Sequence, residues 1–158
     1  MNISEHAVAR MVAIATAVSL AFTLTACVTP EQFEEAIVPA VADAHPAIVD
    51  VHVSSSTGLA GIGPWVRVYV EPGTEDLASV IDASLRALLV ASPERPPSWR
   101  LDLAEGPKPD DVNLNLGALD IEEAARELDL YDTYSSRTLS GVTEILEERY
   151  GTWEELHE

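Results

Sequence analysis

An apolar run at residues 11–26, interrupted only by Thr and Ser, limits what this chain can fold into. A short polar stretch ending at Arg10 precedes it, and the run itself contains no charged residue. An α-helix of this length would span about 24 Å, which is less than the ~30 Å hydrocarbon core of a bilayer. The pattern therefore predicts a cleaved export signal rather than a retained membrane-spanning helix, and leaves residues 27–158 to form the folded protein.

The run ends in Leu24-Thr25-Ala26-Cys27, a motif that resembles the lipobox of bacterial lipoproteins. The resemblance implies that a diacylglyceryl group is attached to the Cys27 sulfur and that the precursor is cut before Cys27. It also implies that the new amino terminus is often acylated. Two or three acyl chains would hold the protein stably on the extracytoplasmic face of the cell membrane. The alternative is an ordinary signal peptide that leaves a free thiol at Cys27.

These assignments predict a simple organisation for the rest of the chain. Residues 1–26 are the signal peptide, residues 27–29 form the lipid-anchored amino terminus, and residues 30–158 are long enough for one domain with its own core. Cys27 is the only cysteine, so no disulfide can form within the chain. Lys108 is the only lysine, whereas alanine is plentiful, which is typical of a GC-rich genome such as that of an actinobacterium.

The formal net charge of −18 limits the partners of the domain. Glu5 and Arg10 cancel each other, so removal of the signal leaves this charge unchanged. A strongly negative surface repels phosphate backbones, and we therefore expect no nucleic-acid partner. A solvated surface explains the acidity, and the alternative is a cationic partner or a metal ion. No motif implies a cofactor, and the oligomeric state stays open.

Helical and strand periodicities alternate along the mature chain. Thr29-Pro30-Glu31-Gln32 has the pattern of a capped helix start. Further helices are expected over residues 74–89, from Asp120, and over residues 139–150. Alternation of apolar and polar residues predicts strands over residues 48–54, 65–70, 98–103 and 112–116, and the Ser- and Gly-rich connection 55–64 predicts a hairpin.

The predicted order of elements is therefore αββαββαα. A two-layer α+β sandwich buries the apolar strand faces most simply, with a mostly antiparallel sheet and the helices on one of its faces. The opposite face, which we call the polar sheet face, would gather Asp50, His52, Trp65, Arg67, Tyr69, Arg100 and Asp102, with Asn113 and Asn115 beside them. Aromatic rings, an arginine and amides on a rigid sheet could bind a peptide or glycan of the envelope. The alternative is a solvated face on which Asp50 pairs with Arg67.

Two further patterns suggest chemistry. Asp111, Asn113, Asn115 and Glu122 echo the spacing of a calcium-binding loop, although Leu116 stands where the sharp turn requires glycine. A strand followed by a helix cap explains the same residues. His52 with Asp50 could act as the acid and base of a small hydrolase, although no nucleophile motif accompanies them. The sequence favours a non-enzymatic binding or regulatory module, with the hydrolase and a binder of metal ions or cationic peptides as alternatives.

Overall fold

The computed structural model describes residues 28–158, so the predicted signal segment and Cys27 lie outside the described residues. The predicted α+β class is confirmed. The helices are α1 (Pro30–Ala42), α2 (Leu77–Ala91), α3 (Glu122–Glu127), α4 (Thr143–Tyr150) and α5 (Trp153–His157). The strands are β1 (Ile48–Gly58), β2 (Gly61–Val70), β3 (Ser98–Glu105), β4 (Tyr134–Ser135) and β5 (Thr138–Val142), and a short 3-10 helix at Tyr131–Thr133 precedes β4.

The five strands form one sheet in the order β1-β2-β3-β5-β4. Strands β2 and β3 are parallel, because helix α2 carries the chain from the end of one strand back to the start of the other. The remaining three neighbouring pairs are antiparallel, as in the predicted mostly antiparallel sheet. Strand β1 lies at one edge of the sheet, next to helix α1.

Helix α1 begins as its sequence predicts. The Thr29 hydroxyl accepts the Gln32 N–H, and the Gln32 side chain accepts the Thr29 N–H at 2.8 Å, which completes a capping box. Phe33, Ile37 and Val41 are fully buried at helical spacing. This stripe fastens α1 to the sheet.

The core lies between the sheet and the helical layer. Helix α2 is the centre of that layer and contacts the four other helices. Its buried stripe comprises Ala78, Val80, Ile81, Leu85, Leu88 and Leu89, which pack with the apolar faces of β1, β2 and β3. Within residues 28–158, no helix combines the length and the apolar character needed to cross a bilayer.

The carboxy-terminal part of the sheet differs from the prediction. Residues 112–116 form a loop rather than the expected strand, because several of their backbone carbonyls bind an arginine side chain instead of a neighbouring strand. The sheet is instead completed by two later strands, β4 and β5. Strand β5 includes residues 139–142, where the start of a helix was expected. Leu139 is fully buried and pairs with Leu101 of β3, and α4 starts only at Thr143.

Candidate functional site

The strand register brings the predicted polar sheet face together. It forms three adjacent rows across β1, β2 and β3, namely Asp50-Tyr69-Ala104, His52-Arg67-Asp102 and Ser54-Trp65-Arg100. All seven residues predicted for this face thus lie side by side on neighbouring strands. The rows differ strongly in exposure, which divides the face into two parts.

The middle row holds a buried ion pair. The Arg67 Nε donates to Asp102 Oδ1 at 2.5 Å, and Arg67 Nη2 donates to Asp102 Oδ2 at 3.1 Å. Arg67 is only 2% exposed and Asp102 is fully buried. The Trp65 indole N–H also donates to Asp102, at 2.9 Å. Asp102 therefore holds both the guanidinium and the indole ring in place, and this satisfies its own buried charge.

Arg67 also fastens the segment 106–120, which we call the strap, across the sheet. Its Nη1 donates to the carbonyls of Asn113 and Leu116 at 2.9 and 2.6 Å, and its Nη2 donates to that of Leu114 at 2.7 Å. With the two bonds to Asp102, all five N–H groups of the guanidinium have acceptors. Arg67 and Asp102 thus bind other groups of the protein and are not available to a ligand. The strap covers the part of the face that contains them, which we call the covered half.

The covered half also contains Asp50, His52 and Tyr69. Asp50 pairs with Lys108 of the strap at 3.4 Å, so the suggested pairing of Asp50 with Arg67 is wrong. Tyr69 is only 2% exposed, and burial raises the pKa of its hydroxyl. Burial also lowers the pKa of His52, and the nearby positive charge of Lys108 lowers it further. Both effects favour the neutral imidazole.

The predicted acid and base of a hydrolase share this half but are not joined. In the described part of the chain, no hydrogen bond connects His52 to Asp50. The Asp50 carboxylate instead accepts the Val51 N–H at 2.8 Å and faces Lys108. A carboxylate that orients a catalytic histidine has to bond to its ring, and here that carboxylate has other partners.

The other half of the face is accessible, and we call it the open half. It is a shallow cleft of about 130 Å³ at the start of β3, lined by Ser54, Ser56, Gly63, Pro64, Trp65, Ser98, Trp99 and Arg100. The Arg100 guanidinium lies over the Trp65 ring, 5.3 Å from its centre. None of the lining residues is acidic. The open half is thus a neutral to weakly basic surface on a strongly acidic protein.

Two of the four residues of the suggested calcium loop have other partners. The Asn113 side chain accepts the Asn115 N–H at 3.0 Å, and the Asn113 carbonyl binds Arg67. Glu122 pairs with Arg126 at 2.7 Å. Across residues 28–158, no three His, Cys, Asp or Glu side chains are grouped so that they could hold a metal ion. The cation that this loop surrounds is the guanidinium of Arg67.

A separate acidic concavity of about 260 Å³ lies between the start of α2 and α3. Its carboxylates are those of Glu75, Asp76, Asp120, Glu123 and Glu127. Part of this acidity serves the fold, because Asp76 caps α2 and Asp120 accepts the Glu122 N–H. A cationic group would be attracted here rather than to the open half.

The candidate site residues predicted from the sequence did not include the serines of the cleft or Lys108. Ser54 and Ser56 continue the alternation that starts at Asp50 and His52, so the strand period could have identified them. Lys108 reaches Asp50 only through the path of the strap, for which the sequence carries no local signal. The whole chain was also compared with known proteins: no protein-family model, curated protein or solved structure matches it.

Proposed function

We propose that the protein is a lipid-anchored lipoprotein of the cell envelope whose domain is a non-enzymatic binding module. Cys27 would carry the lipid, as its lipobox-like motif implies. The open half of the polar sheet face would bind a peptide or glycan of the envelope. The observation that carries this proposal is the fixed Trp65 ring beside Arg100 and three serine hydroxyls in an accessible cleft.

The fixed ring supports recognition. Trp65 is held through its N–H by Asp102, which is itself held by Arg67. An aromatic ring whose orientation is set before binding loses little conformational freedom when a ligand stacks on it. The hydroxyls of Ser54, Ser56 and Ser98, together with the Arg100 guanidinium, supply hydrogen-bonding groups around the ring.

The size of the cleft favours one kind of ligand. Pockets that enclose a small molecule measure about 300–1,000 Å³, whereas this cleft measures about 130 Å³. It can receive one side chain or part of one sugar, but it cannot enclose a whole small molecule. We therefore favour a site on a larger polymer, part of which projects into the cleft.

The alternatives have less support in the geometry. A hydrolase built on His52 would need Asp50 as a partner, and Asp50 contacts Lys108 and the Val51 N–H instead. A cationic peptide would be attracted to the acidic concavity rather than to the open half, which has no acidic lining residue. These two surfaces are separate, so one set of variants can distinguish the two modes of binding.

The test uses residues 27–158 with Cys27→Ser and immobilised peptidoglycan fragments, which offer both glycan and peptide. We expect Arg100→Ala to weaken retention by about tenfold or more, the effect of losing one charged hydrogen bond. The matched control is Arg86→Ala, which removes an exposed arginine from α2. Equal retention of the two variants would count against the open half. The cationic-peptide alternative is tested with immobilised oligolysine in place of peptidoglycan. If only Glu123→Gln reduces retention on oligolysine, that alternative is favoured.

A further inference from the structure

The end of the β1–β2 hairpin lacks charge. Residues 54–65 contain no charged side chain, although 23% of the chain is charged and its net charge is −18. Strands β1 and β2 remain paired as far as Gly58 and Gly61, with Leu59 and Ala60 forming the turn. This stretch can approach an anionic surface that repels the rest of the molecule.

Leu59 is presented at the tip of this hairpin on a braced stem. Its side chain is fully exposed to solvent. Behind the tip, Ile62 is only 4% exposed, and the Pro97 ring lies so close to Gly61 that an added Cβ would be 3.3 Å from it. A single exposed leucine is common in proteins, so exposure alone does not indicate a binding role. The position of Leu59 on the molecule is the evidence that matters.

That position is the end of the domain that carries the amino terminus. A five-residue connection joins α1 to β1, and the two elements pack together, so they run antiparallel. Helix α1 is about 20 Å long and β1 about 37 Å long. The hairpin therefore extends roughly 17 Å beyond the first turn of α1. Cys27 is three residues before Pro30, within about 11 Å of that same turn.

We propose that the hairpin tip, residues 57–61, is a second membrane contact in which Leu59 enters the boundary between headgroups and acyl chains. This inference rests on the proposed lipid anchor at Cys27. One leucine would bind a bilayer too weakly by itself, but the anchor holds it at a high effective concentration near the surface. The contact orients the domain, with the uncharged hairpin towards the lipid and the acidic body farther away.

The test uses residues 27–158 with Cys27→Ser and an amino-terminal histidine tag. The tag attaches the domain to phosphatidylcholine vesicles that contain a nickel-chelating lipid. An environment-sensitive NBD fluorophore is placed on Leu59→Cys. On attachment, we expect its emission to shift to the blue and to be quenched when the acyl chains carry bromine.

The matched control carries the same fluorophore on Leu116→Cys, which is also exposed but lies in the strap. We expect neither shift nor quenching at this position. No change at position 59, or equal quenching at both positions, would overturn the inference. Because the tag replaces the lipid, this result is independent of Cys27 modification. Whether Cys27 anchors the protein is tested separately in cells. If Cys27→Ser does not change the location of the protein, the proposed lipid anchor is wrong.

Discussion

Arg67 organises the polar sheet face at the scale of single residues. Its guanidinium neutralises Asp102, positions Trp65 through that carboxylate, and fastens the strap through three backbone carbonyls. Taking two charges out of water is costly, and the cost is offset here only because every donor of the guanidinium has an acceptor. Loss of the fork-shaped donor set should therefore disturb the strap and the cleft together.

Arg67→Lys tests this role, because lysine keeps the charge but has only three donors on one nitrogen. We expect a loss of about 1–3 kcal/mol in the free energy of unfolding, because three donors cannot satisfy the five buried acceptors that the guanidinium binds. Urea denaturation measures this loss. Hydrogen exchange should also become faster at the strap amides.

The matched control for Arg67→Lys is Arg126→Lys. Arg126 pairs with Glu122 on the exposed surface of α3, so its replacement should cost under about 1 kcal/mol. If Arg67→Lys cost no more than the control and left strap exchange unchanged, the ion pair would not hold the strap.

His52 provides a prediction about pH. Burial lowers its pKa in the folded protein below the ordinary 6.5, and Lys108 contributes to the same shift. As the pH falls, His52 in the unfolded chain therefore takes up its proton at a higher pH than His52 in the folded protein. The contribution of His52 to the free energy of unfolding is fully present above pH 6.5 and decreases as the pH falls through the folded pKa.

NMR titration of the His52 ring measures this pKa directly. We expect a value below 6.5 in the wild type and a higher value in Lys108→Gln, which removes the neighbouring positive charge. Arg86→Gln, which removes a positive charge from α2, should leave the value unchanged. A wild-type pKa at or above 6.5 would contradict the partly buried placement of His52.

At the scale of elements, β5 depends on a glycine packed against a buried tryptophan. Gly141 pairs with Trp99 of β3, which is only 1% exposed and donates its indole N–H to the Val142 carbonyl. A Cβ on Gly141 would lie 2.9 Å from Ile145 and 3.1 Å from the Trp99 ring. The absence of a side chain at this position allows the strand to approach the core.

Gly141→Ala should therefore destabilise the fold by about 1–3 kcal/mol, the usual cost of overpacking. Thermal or urea unfolding measures the change. Ile145→Val removes the nearest methyl group and should restore part of the stability of Gly141→Ala. Gly58→Ala is the control, because an added Cβ there meets its nearest neighbour at 3.9 Å. Equal stability of the two alanine variants would contradict the packing of β5.

The elements with strong local patterns were predictable. The capped start of α1 and the alternation in β1, β2 and β3 all follow from short-range sequence, and these strands carry the polar sheet face. The β4–β5 hairpin was not predicted. Its turn places Ser136 and Arg137 at positive φ, a conformation that sequence usually signals with Gly or Asn.

The division of the site into two halves could not be read from the sequence. Residues 112–116 alternate like a strand, but their carbonyls bind Arg67, which lies more than 40 positions earlier in the chain. Local periodicity carries no information about such long-range partners. It placed Arg67 and Asp102 on the right face without indicating that the strap buries them.

At the scale of the whole molecule, the proposed anchor would set which end of the domain faces the membrane. The uncharged hairpin and the open half lie towards the same end of the sheet, because Ser56 of the hairpin and Ser98 of β3 line both the cleft and the groove beside the hairpin tip. With Cys27 lipidated, that end would face the membrane, and ligands would be bound close to its surface. The acidic concavity lies at the start of α2, towards the opposite end.

The most direct test of this account is the fate of Cys27 in a bacterium that expresses the full chain. We predict that the protein incorporates labelled palmitate and fractionates with membranes, and that Cys27→Ser loses the label and leaves the membrane fraction. Thr29→Ser, which keeps both the sulfur and a hydroxyl at the cap, should behave like the wild type. Membrane association of Cys27→Ser equal to that of the wild type would contradict the lipid anchor.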